Sequence, residues 1–116
     1  MDIRKYDIVQ ADLGDTTLGS EQGGRRPVLV IQNDTGNIFS TTTIVIPLSS
    51  KLKSLHQPTH TLIRKSRDTG LKTDSVLLGE QIRVISNQRI IKKIGTITDN
   101  KEKREIRRVY EANFGE

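Results

Sequence analysis

Cysteine is absent from this 116-residue chain, so neither disulfides nor thiolate metal sites can form, and the composition fits a reducing compartment such as the cytoplasm. Tryptophan is absent as well, and two tyrosines and two phenylalanines make up the whole aromatic complement. The core must therefore be built largely from Val, Ile and Leu. Few rings remain for the exposed stacking platforms on which single strands are often held. No apolar run approaches the roughly 20 residues that span a bilayer, and Met1-Asp2-Ile3-Arg4-Lys5-Tyr6-Asp7 carries no apolar stretch of the signal-peptide kind. Neither a membrane partner nor export is expected. Acidic residues are in the minority, 14 against 19 Lys and Arg, for a formal net charge of +5. A small basic domain suits a polyanion, most often RNA or DNA, although the same excess also serves an ordinary soluble surface. The length is that of one small domain, residues 1–116, and neither a repeat nor a linker interrupts it.

Several familiar constellations are missing. There is no Gly-x-x-x-x-Gly-Lys-Ser/Thr, hence no phosphate-binding loop of that type. The two histidines, His56 and His60, stand four apart, but Pro58 between them prevents a shared helical face, so no zinc site is expected. A two-histidine nuclease is equally hard to build, because His60 falls in strand-like sequence and is expected to be half-buried. Neither a metal nor a cofactor is expected.

What is present centres on Gly19-Ser20-Glu21-Gln22-Gly23-Gly24-Arg25-Arg26-Pro27 and the run Val28-Leu29-Val30-Ile31 behind it. The run is short, β-branched and closed by Gln32-Asn33-Asp34, which reads as a buried strand. The segment before it reads as a mobile loop that delivers Arg25 or Arg26 to the strand root, with Pro27 biasing Arg26 toward extended backbone. Ile8 to Leu13 is a first strand, and Gly14 to Arg25 is far longer than a hairpin loop needs. Asn33-Asp34-Thr35-Gly36-Asn37 reads as a turn. Thr41 to Ile46 is a strand, with Pro47 at an edge or bulge position, and Thr59 to Ile63 is another. Asp74 to Leu78 and Ile82 to Ile85 are strand halves around a bulge at Gly79. Ser86 can cap a short helical turn through Arg89. Ile94 to Thr98 is a short strand. Asp99 and Glu102 form a capping box for a last helix whose apolar stripe is Ile106, Val109, Tyr110 and Phe114. Short strands with one terminal helix predict a mainly β (α+β) fold, a small twisted barrel or half-barrel.

The residues left to carry chemistry are Arg25 and Arg26, the hydroxyls of Ser49 and Ser50, and the carboxylates of Glu21 and Glu80. If the long loop meets the end of the third strand, a guanidinium and a hydroxyl converge on one point, and that pair binds phosphate. The plainer alternative pairs Arg26 with Glu21 and leaves Ser49 as a strand end.

The sixteen residues from Gly19 to Asp34 closely resemble the signature of MazF/PemK-type toxins, the ribonuclease halves of bacterial toxin–antitoxin pairs. The resemblance continues through Thr35-Gly36-Asn37, Pro58-Thr59-His60 and the segment Asp74 to Arg83, and covers about residues 6 to 98. It implies an SH3-like barrel of the MazF/Kid/CcdB kind, a homodimer, and an acidic flexible antitoxin segment as cognate partner. It also implies cleavage of single-stranded RNA, mainly mRNA, at short sequence-specific sites without ribosome or metal. The family's catalytic arginine falls at Arg26, with Arg25 at a variable position, and its partner hydroxyl, typically threonine, falls at Ser49. Serine keeps the oxygen and loses the methyl that stiffens χ1. Glu80 and Glu21 match carboxylates implicated in some branches.

Without metal, RNA is cut by its own 2′-OH attacking the adjacent phosphorus, leaving a 2′,3′-cyclic phosphate and a 5′-OH. Arg26 is expected to stabilise the phosphorane, with Ser49 donating a hydrogen bond. Arginine is a poor base at neutrality, which leaves Glu80 or solvent to take the proton. Ser20, Gln22 and Gln81 are candidates to read base edges, and Arg25, Ser50, Lys51, Lys53 and Arg83 to contact the RNA and hold its phosphates. Two other readings stay open, since fold alone does not settle function: a non-catalytic toxin such as a CcdB-type gyrase inhibitor, and an RNA-binding regulator without catalysis.

Overall fold

The computed structural model describes residues 2–15, 17–51 and 55–115. Of the predicted RNA contacts, Lys53 lies outside the described residues. The elements in chain order are β1 (Asp7–Asp12), β2 (Arg25–Val30), α1 (Asp34–Phe39), β3 (Thr42–Ser49), β4 (His60–Ile63), β5 (Ser75–Leu78), β6 (Arg83–Ser86), β7 (Ile90–Thr96) and α2 (Asn100–Glu111). They form one antiparallel, barrel-like sheet in the order β4-β5-β3-β2-β1-β7, with β6 pairing beside the first half of β3. The barrel is not closed, since β7 pairs only with β1 and β4 only with β5.

The alternation of apolar residues builds a core on each face of this sheet. Ile8, Leu29, Ile46, Leu48 and Leu77 join Ile106 and Val109 of α2 in one cluster. Val9, Ala11, Val28, Val30, Val45 and Ile85 form the other. A curled sheet buries both faces, which is how a chain with four aromatic residues fills a core with β-branched and leucine side chains.

Strand β3 is the hub. It pairs with β2 along one edge, while its other edge pairs with β6 through Thr42–Val45 and then with β5 at Leu48 and Ser49. Pro47 therefore lies inside the sheet and not on an outer edge, and the pairing explains why it is tolerated there. The N–H of Ile31 donates to the carbonyl of Ile44 at 3.0 Å. By antiparallel alternation Val28 and Pro47 then form a non-hydrogen-bonded pair. The donor that Pro47 lacks would point to the other edge, at the changeover between β6 and β5, where neither pairs with it.

Four other expectations are corrected. Asn33 to Asn37 is not a free turn: the Asn33 side chain accepts from the N–H of Gly36 at 2.8 Å and caps α1. An Asn oxygen serves an isolated turn and a helix start by the same bond. Gly79 begins a 3-10 turn, Gly79–Gln81, where a bulge was expected. The seventh strand starts at Ile90, four residues earlier than its apolar centre suggested. Phe114 is 69% exposed and stands outside the α2 stripe, which Ile106 and Val109 carry with Tyr110 packed against them. The cap of α2 at Asp99 is present, its carboxylate accepting from the Glu102 N–H at 3.0 Å.

Candidate functional site

Arg25 and Arg26 are the first residues of β2, opposite Asp12 and Ala11 of β1. The hairpin zips beyond the strands: the Leu13 N–H donates to the Gly24 carbonyl at 2.9 Å and the Gly24 N–H to the Gly14 carbonyl at 2.6 Å. Gly24 sits at φ +72°, a conformation that favours glycine and turns the chain into β2. Among the described residues, Arg26 is then held by backbone carbonyls. Its Nε donates to the Gly23 carbonyl at 2.9 Å and its Nη1 to the Leu48 carbonyl at 3.4 Å. No carboxylate of the described residues pairs with it, so the expected alternative of an Arg26–Glu21 pair is not what the structure contains. Glu21 instead accepts the Leu18 N–H at 2.7 Å within its own loop. Partial burial holds the Arg26 guanidinium below the ordinary arginine value. It remains a cation at neutrality, with donors not engaged by the two carbonyls.

The loop root and the end of β3 thus meet. Leu48 is bonded to Ser49, so the guanidinium lies against the peptide that leads into the Ser49 hydroxyl. Ser49 is 4% exposed, and its Oγ accepts from the Lys51 N–H at 3.2 Å. Arg25, Arg26 and Ser50 line a cavity of about 620 Å³ together with Gln10, Lys72, Thr73, Ser75 and Lys92. Its charged lining residues are all cations. Arg25 reaches Asp12 at 3.9 Å across exposed surface, a weak pair.

Glu80 is elsewhere. With Ser20, Gln22, Gln57, His60 and Gln81 it lines a second, smaller cavity of about 230 Å³. Its carboxylate shares a 3.0 Å hydrogen bond with Nε2 of His60 and accepts from Thr59 Oγ1 at 3.3 Å. His60 is 5% exposed, more buried than strand patterning indicated. Gln81 is turned toward the loop: its Nε2 donates to the Ser20 carbonyl at 2.7 Å, and its Oε1 accepts from the Gln22 N–H at 3.1 Å. Arg83 donates to the Gln22 carbonyl at 3.2 Å. The glycine-rich loop is therefore held by side chains from the segment that follows β5. Lys51 is exposed just past β3.

Sequence reasoning missed Gln10, Lys72, Thr73, Ser75 and Lys92. Their contribution comes from register: Gln10 pairs with Pro27 on one side and Lys92 on the other, so β7 is brought to the loop root through β1. Among the described residues, no group of three or more His, Cys, Asp or Glu side chains could hold a metal ion. None of the described helices is long and apolar enough to cross a membrane.

Residues 4–111 match the family model for PemK-like, MazF-like toxins of type II toxin–antitoxin systems. The chain is 48% identical over 99 residues to endoribonuclease EndoA of Bacillus subtilis, covering 85% of this chain and 84% of that one. It is 42% identical over 113 residues to endoribonuclease MazF of Staphylococcus saprophyticus, covering 97% and 92%. Its fold is that of MazF from Deinococcus radiodurans, with a TM-score of 0.81 at 20% identity over 100% of this chain and 99% of the other. The block from Gly19 to Asp34, the open antiparallel barrel with α2 packed on it, and these matches over nearly the whole chain agree: the chain belongs to the PemK/MazF-like family of type II toxin–antitoxin toxins.

Proposed function

We propose that this toxin cuts single-stranded RNA in the cavity beside Arg26, by attack of a ribose 2′-OH on the adjacent phosphorus. The chain is an endoribonuclease toxin; its relatives at 48% and 42% identity both carry that activity, which sets aside the non-catalytic readings. The observation that carries the site is the position of Arg26, a cation anchored by two carbonyls, without a carboxylate partner among the described residues, on the wall of a cavity whose other charges are positive.

In the reaction the O2′–P bond forms and the P–O5′ bond breaks, giving a 2′,3′-cyclic phosphate and a 5′-OH. The 2′-OH loses a proton and O5′ gains one. Arg26 stabilises the charge that grows on the phosphorane oxygens, and Ser49, the residue after the Leu48 carbonyl that holds Arg26, donates a hydrogen bond. One preorganised donor of this kind can contribute about 3 kcal/mol. Among the described residues, no Asp, Glu or His lines the Arg26 cavity, while Glu80 lines the other one. Solvent water is therefore the proton acceptor in this proposal, and Glu80 holds His60, on the wall of the smaller cavity, and accepts from Thr59. That second cavity, with Ser20 and Gln22 on its wall, is where a base adjoining the cut is read, which makes cleavage sequence-specific.

The same reading has the chain act in the cytoplasm, without metal or ribosome, as a homodimer neutralised by its cognate antitoxin. The test is digestion of a mixed-sequence single-stranded RNA in EDTA with Arg26→Ala as control. Discrete cuts with 5′-OH ends, lost in the variant, are expected. Cuts that require added metal, or that persist in Arg26→Ala, would overturn it.

A further inference from the structure

Two lysines far from the loop in sequence share the Arg26 cavity. Lys72 comes from the β4–β5 connection, just after Gly70 and Leu71, and Lys92 from β7. Neither forms an ion pair among the described residues. The contrast with the neighbouring Lys93 is informative: Lys93 Nζ pairs with the buried carboxylate of Asp7 at 3.2 Å, while Lys92 lines the cavity. Adjacent strand residues point to opposite faces, so one lysine is engaged by the fold and the next is presented to whatever enters.

Placement supports a substrate role. Lys92 stands opposite Gln10, which stands opposite Pro27, so Lys92 is two strands from the residue next to Arg26. At about 4.8 Å per strand that is roughly 10 Å, close enough for the same cavity yet beyond a single phosphate. The turn that carries Lys72 is set by close packing: a Cβ on Gly70 would lie 1.9 Å from the Ile94 carbonyl oxygen, and the Thr96 N–H donates to the Asp68 carbonyl at 2.8 Å. The turn is thereby pressed onto β7, and Lys72 and Lys92 belong to the same wall. A cavity of about 620 Å³ is roomier than one phosphate requires. Four cations line it, of which only Arg25 has a weak carboxylate partner among the described residues, and an entering polyanion neutralises the remaining charge.

We propose that Lys72 and Lys92 form a second phosphate subsite of this cavity, which holds a phosphate adjoining the scissile one and so sets the strand on Arg26. The proposal rests on the Arg26 cavity being the cleavage site. Both lysines act in binding and positioning, not in the chemical step.

The experiment measures two quantities on Lys72→Gln, Lys92→Gln and the double variant. One is equilibrium binding of a 2′-O-methylated, uncleavable single-stranded RNA across a salt series; the other is steady-state cleavage of the unmodified RNA. Each substitution is expected to reduce the slope of log binding constant against log salt by about 0.7, with the double variant losing about twice that. KM should rise several-fold with kcat little changed, and Lys72→Arg and Lys92→Arg should restore the slope. Lys101→Gln, at an exposed position of α2, should leave it unaltered. Unchanged slopes in well-folded variants, with Arg26→Ala inactive, would overturn the subsite while leaving the cleavage site standing. Full cleavage by Arg26→Ala would overturn the cleavage site, and with it the assignment of these lysines to an adjoining phosphate.

Discussion

Arg26 is anchored to Leu48: Nη1 of the guanidinium donates to that carbonyl at 3.4 Å, bridging the start of β2 and the end of β3. With Nε on the Gly23 carbonyl at 2.9 Å, the fork is oriented from two sides before any substrate arrives. A lysine carries the charge but cannot reproduce that fork. Arg26→Lys should therefore retain a small fraction of wild-type kcat, and Arg26→Ala should lose about a hundredfold or more. Single-turnover cleavage checks this. Equal activity of the lysine variant and wild type would reduce the role of Arg26 to a point charge.

Ser49 and Ser50 separate by exposure. Ser49 is buried beside the Arg26 anchor, and Ser50 is on the cavity wall. Ser49→Ala is expected to lower kcat by tenfold or more, on the order of 1.4 kcal/mol or more. Ser50→Ala should act mainly on KM. Ser49→Thr should cleave at least as fast as the native serine, since the hydroxyl is kept and the added methyl stiffens χ1. Steady-state kinetics on one defined RNA would show the split, and a reversed pattern would make Ser50 the donor.

Glu80 shares a hydrogen bond with His60 and lines the smaller cavity. Glu80→Gln keeps the shape and weakens a partly exposed charged contact, so the expected stability loss is no more than about 1 kcal/mol. The pH–rate profile of cleavage should keep its form. Disappearance of an acid limb in this variant would reinstate Glu80 as the base.

Gln81 supplies two loop bonds, to the Ser20 carbonyl and the Gln22 N–H. Gln81→Ala removes both, each contributing about 1 kcal/mol. Faster hydrogen exchange at the Gln22 amide is expected, together with weaker discrimination among RNA sequences and a smaller change in kcat. An unaltered Gln22 exchange rate would show that Arg83 and the zipped hairpin suffice to hold the loop.

The strands, the terminal helix and the prominence of the Gly19–Pro27 block are legible in the residue order alone. Those features rest on local chemistry: β-branched runs, an Asp99 cap, a proline after Arg26, and a helical spacing of Ile106 and Val109. Its errors share one cause. Asn33 reads equally as a turn former or a helix cap, and Pro47 reads as an edge residue until the changeover between β6 and β5 is known. The grouping of Arg26, Ser49, Glu80 and Glu21 into one centre came from the resemblance of their segments to the toxin family. Only tertiary structure separates Glu80 into its own cavity, turns Glu21 back on Leu18 and directs Gln81 to the loop backbone. Lys72 and Lys92 carry no local signal. They reach Arg26 through sheet register and the tight contact of the Gly70 turn with β7, long-range relations that local spacing in a sequence does not encode.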